Sequence, residues 1–213
     1  INSYNIVAGL STSITVGAAG TYPTITGVGG LFSDINANGL TGNTTVNILD
    51  ASVTETGAFG LNQTQSGGCA AAAFTLLIKP NAGVTTTLSG ALDSRALIRV
   101  LSSGVTIDGS NNGTTSRNLT MTNTSVTGPT TLLVGSIGTT PVTNTTVKNS
   151  ILINGINSAT ALAVSDTTGG AGYFNNITVQ NNSVQQSYYG CFINAAAVSG
   201  NGRQKTPILI THE

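Results

Sequence analysis

Tryptophan is absent from the 213 residues, and histidine and methionine occur once each. Charge is nearly as scarce: seven Lys and Arg stand against seven Asp and Glu, 7% of the chain, with a net charge of zero. An ordinary soluble domain carries about a quarter charged residues. Zero net charge removes the long-range attraction that draws a protein to nucleic acid or to an anionic membrane, so neither is an expected partner. No run of about 18 apolar residues is present to cross a bilayer, and membrane insertion is not expected.

Chemistry-bearing residues are equally sparse. Hydrolysis of a polysaccharide calls for two carboxylates at a fixed separation, and lyase chemistry for a basic residue beside several carboxylates that hold calcium. The acids are Asp34, Asp50, Glu55, Asp93, Asp108, Asp166 and Glu213, with no Asp-Asp pair and no Asn-Thr-Asp motif among them. His212 is the next-to-last residue. Cys69 and Cys191 match neither a zinc-ligand spacing nor a disulfide framework. The expectation is therefore a chain with no catalytic, cofactor or metal residues, and not an enzyme.

What the chain has in abundance is small and polar: 27 Gly and, from the sequence, 35 Thr, 22 Asn and 20 Ser. The hydrophobic fraction of 39% is too high for a disordered polar tract, so the chain folds. Thr, Asn and Ser in place of Lys and Glu suit a secreted scaffold, and an extracellular or cell-surface location is expected.

One phrase recurs with variations: Asn118-Leu-Thr-Met-Thr-Asn123, Asn144-Thr-Thr-Val-Lys-Asn149 and Asn176-Ile-Thr-Val-Gln-Asn181. Each copy is followed by a more apolar run, beginning near Thr131, Ala159 and Cys191. Within the phrase apolar and polar residues alternate with period 2 until Asn breaks the alternation. That is the pattern of a half-buried strand ending in a bend, where Asn tolerates left-handed backbone and bonds its own chain. A unit of about 29 residues with two or three strands and no helix predicts an all-β fold, a right-handed parallel β-helix of about six coils. Successive coils stack at about 4.8 Å, giving a rod near 30 Å long.

An open coil end needs a cover. Val28, Leu31, Phe32 and Ile35 fall at i, i+3, i+4 and i+7, which predicts a short capping helix stopped by Asn38-Gly39. The expected organisation is residues 1–44 as an N-terminal strand and capping helix region, then residues 45–213 as the β-helix, continuing beyond the given chain.

The stretch from Gly20 to Val53, then Ile78-Lys-Pro-Asn-Ala-Gly-Val84, Ala96-Leu-Ile-Arg99 and above all Gly104 to Asn123 resemble large secreted right-handed β-helix surface proteins of Bacteroidetes-type bacteria. The resemblance implies a surface location and export by type 9 secretion. It carries no catalytic motif to transfer.

These readings converge on a non-catalytic extracellular β-helix, part of a surface adhesin or filament subunit, with head-to-tail self-association and a cell-surface or glycan partner expected. The alternative is a carbohydrate-binding or polysaccharide-degrading β-helix, with Asp93, Arg95 and Asp108 as glycan contacts; an Asp93–Arg95 ion pair and a turn role for Asp108 are the favoured structural readings. Ice binding by outward Thr residues is less favoured, because Lys148 and Gln180 interrupt the ladder. Tyr188, Tyr189 and Phe192 form the one aromatic cluster, either an interaction patch or, the favoured reading, a stack inside the coil. Cys69 and Cys191, separated by about four coils, are not expected to bond within one chain.

Overall fold

The computed structural model describes residues 10–62, 64, 74–196 and 208–211. Chain order begins with strand β1 (Ser13–Val16), helix α1 (Leu31–Asn38), β2 (Thr44–Ile48) and β3 (Ser52–Thr54). Four further coils follow. The first holds β4 (Leu76–Pro80), β5 (Thr86–Gly90) and β6 (Ala96–Val100). The second holds β7 (Val105–Asp108), β8 (Leu119–Asn123) and β9 (Thr130–Ser136). The third holds β10 (Val142–Lys148), β11 (Ser150–Asn154) and β12 (Thr160–Asp166). The fourth holds β13 (Phe174–Gln180), β14 (Ser183–Gln185) and β15 (Tyr189–Ile193), before β16 (Ile208–Thr211).

All named strand pairs are parallel, and they form three sheets along the stack. A seven-stranded sheet has the order β1-β2-β4-β7-β10-β13-β16, a five-stranded one β14-β11-β8-β5-β3, and a four-stranded one β15-β12-β9-β6. This is the parallel β-solenoid of about six turns that the repeats predicted. The core is a set of vertical columns: Val46, Ile78, Ile107, Val147 and Val179 stack in register on the first sheet, and Val53, Leu88, Met121 and Leu152 on the second. All nine are buried. Period-2 alternation in each strand turns these residues inward and leaves Thr, Asn and Ser outside.

The register corrects the repeat alignment. Val142 pairs with Phe174, so the Asn144 and Asn176 phrases are indeed equivalent, both on the first sheet. The Asn118 phrase is β8, which pairs with β11 on the second sheet. It resembles the other two because a strand that ends at a corner meets the same demand on either face. The coil spacing is also wider than expected: Thr106 pairs with Thr146, a 40-residue coil, because residues 109–118 form a loop between β7 and β8. The Thr45, Thr106, Thr146 and Thr178 column on the outer face is interrupted by Leu77 as well as flanked by Lys148 and Gln180.

Helix α1 buries Leu31, Phe32 and Ile35, as its stripe predicted. Val28 does not join them; it precedes the helix and is 84% exposed. The stop is as expected: Gly39 lies at φ 69°, and its N–H donates to Ile35 O at 2.8 Å. The segment before α1 is fastened by Glu55, whose buried carboxylate accepts from Ile25 N at 2.8 Å, Thr26 N at 2.7 Å and Thr26 Oγ1 at 2.5 Å.

Candidate functional site

The turns where the third sheet hands over to the first leave a groove of about 520 Å³. Its walls include Asn62, Phe74, Leu101, Ser102, Thr143 and Asn144, and none of the described residues lining it is charged. Two bonds fix one wall: Thr143 N donates to Ser103 Oγ at 2.9 Å, and Gly104 N to Thr143 O at 2.9 Å. Asn144 and Asn176 occupy equivalent left-handed positions, φ 54° and 57°. Asn176 Nδ2 donates to Asn144 Oδ1 at 2.7 Å, which orients the amide of Asn144, an exposed residue of the groove lining.

The residues singled out in the sequence do not gather at this groove. Asp93 and Arg95 make no ion pair, contrary to expectation. Ser125 Oγ donates to Asp93 Oδ1, while Arg95 Nη2 donates to Gly57 O at 3.1 Å, so each is claimed by a different neighbour. Asp108 is a corner residue, as its Val-Thr-Ile-Asp-Gly setting predicted. Its Oδ1 accepts from Ser110 N at 3.0 Å and Asn149 Nδ2 at 2.7 Å, and its Oδ2 lies 3.1 Å from Lys148 Nζ. Among the described residues no group of three His, Cys, Asp or Glu side chains is placed to hold a metal.

The corner of Asp108 continues as an amide ladder that sequence reasoning read only as bends. Asn181 Nδ2 donates to Asn149 Oδ1 at 2.8 Å, and both asparagines are buried in left-handed conformation, φ 56° at Asn149 and 50° at Asn181. The loop after β7 runs over this corner: Thr114 O and Thr115 O accept from Asn149 Nδ2 and Asn181 Nδ2, and Arg117 donates to Asn181 O at 2.8 Å. The Asn that ends both the Asn144 and the Asn176 phrase was the signal for it.

The aromatic cluster is not a stack inside the coil, which corrects the favoured reading. Tyr188 is 69% and Tyr189 51% exposed, with ring centroids 4.6 Å apart at 85°, and Phe192 lies 6.0 Å from Tyr189 on the same outer surface. The inward residue there is Cys191, paired in register with Leu162. Burial raises the Cys191 thiol to a pKa of about 11, so at neutral pH it stays protonated and unreactive. Cys69 and His212 lie outside the described residues.

No family model and no curated protein matches the sequence. Among solved structures the chain is similar to a pectin methylesterase from Aspergillus niger in a partly deglycosylated form, at 13% identity and a TM-score of 0.44, covering 91% of this chain and 70% of that one. The expectation that the chain is not an enzyme does not stand beside this finding, because the solved structure it is similar to is that of an enzyme. The parallel β-helix is the part of the bacterial surface-protein resemblance that stands.

Proposed function

We propose that this chain is an exported β-helix that engages carbohydrate, binding or processing a polysaccharide, with an uncharged stretch of saccharide seated in the groove beside Asn144. The observation that carries this reading is the chemistry of the lining. Asn62, Ser102, Thr143 and Asn144 offer hydroxyl and amide groups that both donate and accept, which is what sugar hydroxyls require, while Phe74 and Leu101 supply apolar surface for a ring face. A volume of about 520 Å³ is within the ordinary range for a ligand site. With no Lys, Arg, Asp or Glu among its described lining residues, the wall offers nothing to neutralise a charged unit, so an uncharged unit fits it better. The composition supports export, and this reading takes precedence over the adhesive or filament one.

The test is calorimetric titration of the protein with neutral oligosaccharides, together with assay of the same sugars for new reducing ends. Asn144→Gly keeps the left-handed backbone and deletes the amide. Binding weakened at least tenfold in that variant is the expected result. No binding by the unaltered protein, or binding that N144G leaves intact, overturns the proposal.

A further inference from the structure

Arg99 stands on the outer face of β6, and Arg95 immediately precedes that strand. Their side chains meet at one carbonyl. Arg99 Nη2 donates to Gly57 O at 3.0 Å and Ala58 O at 3.1 Å, and Arg95 Nη2 donates to the same Gly57 O at 3.1 Å. Gly60 makes room for this arrangement, since a Cβ there would lie 3.1 Å from Arg99 Cβ and 3.4 Å from its Nε. Arg99 Nε is buried with no hydrogen-bond partner. The Nη1 groups of both arginines, and Nε of Arg95, also find no acceptor among the described residues.

Two guanidinium groups held this close repel unless an anion sits between them, and no carboxylate of the described residues does so. Glu55, in the same loop as Gly57, spends both oxygens on Ile25 and Thr26. Asp93 takes the Ser125 hydroxyl, and the ion pair found among the described residues is Lys148–Asp108. The outer column that continues from Arg99 is Leu133, Ala163 and Phe192, with no acid. Burial and then the charge of Arg95 hold the pKa of Arg99 below its ordinary value, as expected of an uncompensated pair.

We propose that Arg95 and Arg99 form a binding site for one oxyanion, a carboxylate, sulfate or phosphate group, held by Nη1 of Arg99 and by the Nε and Nη1 groups of Arg95. Arginine suits this task because its planar donors match two oxygens at once. The ion has two sources, a free inorganic anion or the acid group of a polysaccharide. The site lies outside the groove lining and does not rest on the carbohydrate reading.

The experiment is titration of the full chain, at constant ionic strength, with sodium sulfate, with a uronic-acid oligosaccharide and with its neutral counterpart, on the unaltered protein and on Arg95→Gln. Arg95 is exposed, so R95Q leaves the fold intact. Saturable binding of sulfate or of the acidic sugar, weakened at least tenfold in R95Q, supports the site. Acidic sugar bound tenfold more tightly than sulfate assigns the ion to a polysaccharide, and sulfate bound as well as the sugar assigns it to a free anion. No saturable binding of either, or equal binding by R95Q, overturns the proposal. N144G, which tests the groove, leaves oxyanion binding unchanged.

Discussion

Asn149 shows how much a single residue does in this fold. It turns the chain from β10 into β11 at φ 56°, a conformation that costs an ordinary residue about 1 kcal/mol or more. Its buried amide meanwhile joins Asp108 in the coil before to Asn181 in the coil after. Removing the amide leaves Asn181 Nδ2 and Asp108 short of a partner in a buried corner, at about 1–3 kcal/mol for each unmet group. Asn149→Ala therefore loses both the amide bonds and the tolerance of the backbone, and Asn149→Gly loses only the bonds. Denaturant unfolding is expected to show a destabilisation of about 3 kcal/mol for N149A and a smaller one, by about 1 kcal/mol, for N149G. Equal stability of N149A and the unaltered protein would contradict the ladder.

At the scale of elements, α1 is eight residues long and too short to be stable alone in water, so its place depends on what it is tied to. Its stripe supplies the apolar part, with Leu31, Phe32 and Ile35 wholly buried. Glu55 supplies the polar part: one carboxylate, 2% exposed, takes three hydrogen bonds from Ile25 and Thr26 and so joins the segment leading into α1 to the residues after β3. A carboxylate with charge-assisted bonds of this kind is stabilising only while all of them are made. Glu55→Ala strands two backbone N–H groups and a hydroxyl, and an expected loss of about 3 kcal/mol follows. The expected spectroscopic sign is loss of the small helical signal at lower denaturant than the strand signal. Coincident loss of both, at the midpoint of the unaltered protein, would show that Glu55 does not hold the helix.

Over the whole molecule, each coil touches mainly the coils above and below it, so stability is a sum of neighbour terms. The coils holding β7–β9 and β10–β12 have a described neighbour on both sides in all three sheets. They also carry the Asp108–Asn149–Asn181 corner and the loop of residues 109–118 that covers it. Native-state hydrogen exchange is expected to be slowest in β8, β10 and β11 and faster by at least tenfold in β14 and β15. Uniform exchange throughout would mean that the rod opens as one cooperative unit instead.

The sequence by itself determined the strands of the recurring phrase, their inward and outward faces and the Asn at which each bends, because alternation with period 2 and an Asn that tolerates positive φ are properties of five or six adjacent residues. Asn144 to Asn149 and Asn176 to Asn181 were legible in this way, and so was the stripe of α1, apart from Val28. Only the tertiary structure decided which strand stacks on which. Partners lie 29 to 40 residues apart, and loops of unequal length, such as residues 109–118, shift the spacing without leaving a mark on the strands themselves. That is why the Asn118 phrase aligns with the other two in the sequence although it lies on the second sheet. The groove beside Asn144 and the meeting of Arg95 with Arg99 at Gly57 were hidden for the same reason. A site assembled from different coils has no local spacing, and Asn62, Leu101 and Asn144 become neighbours only once the coil register is set.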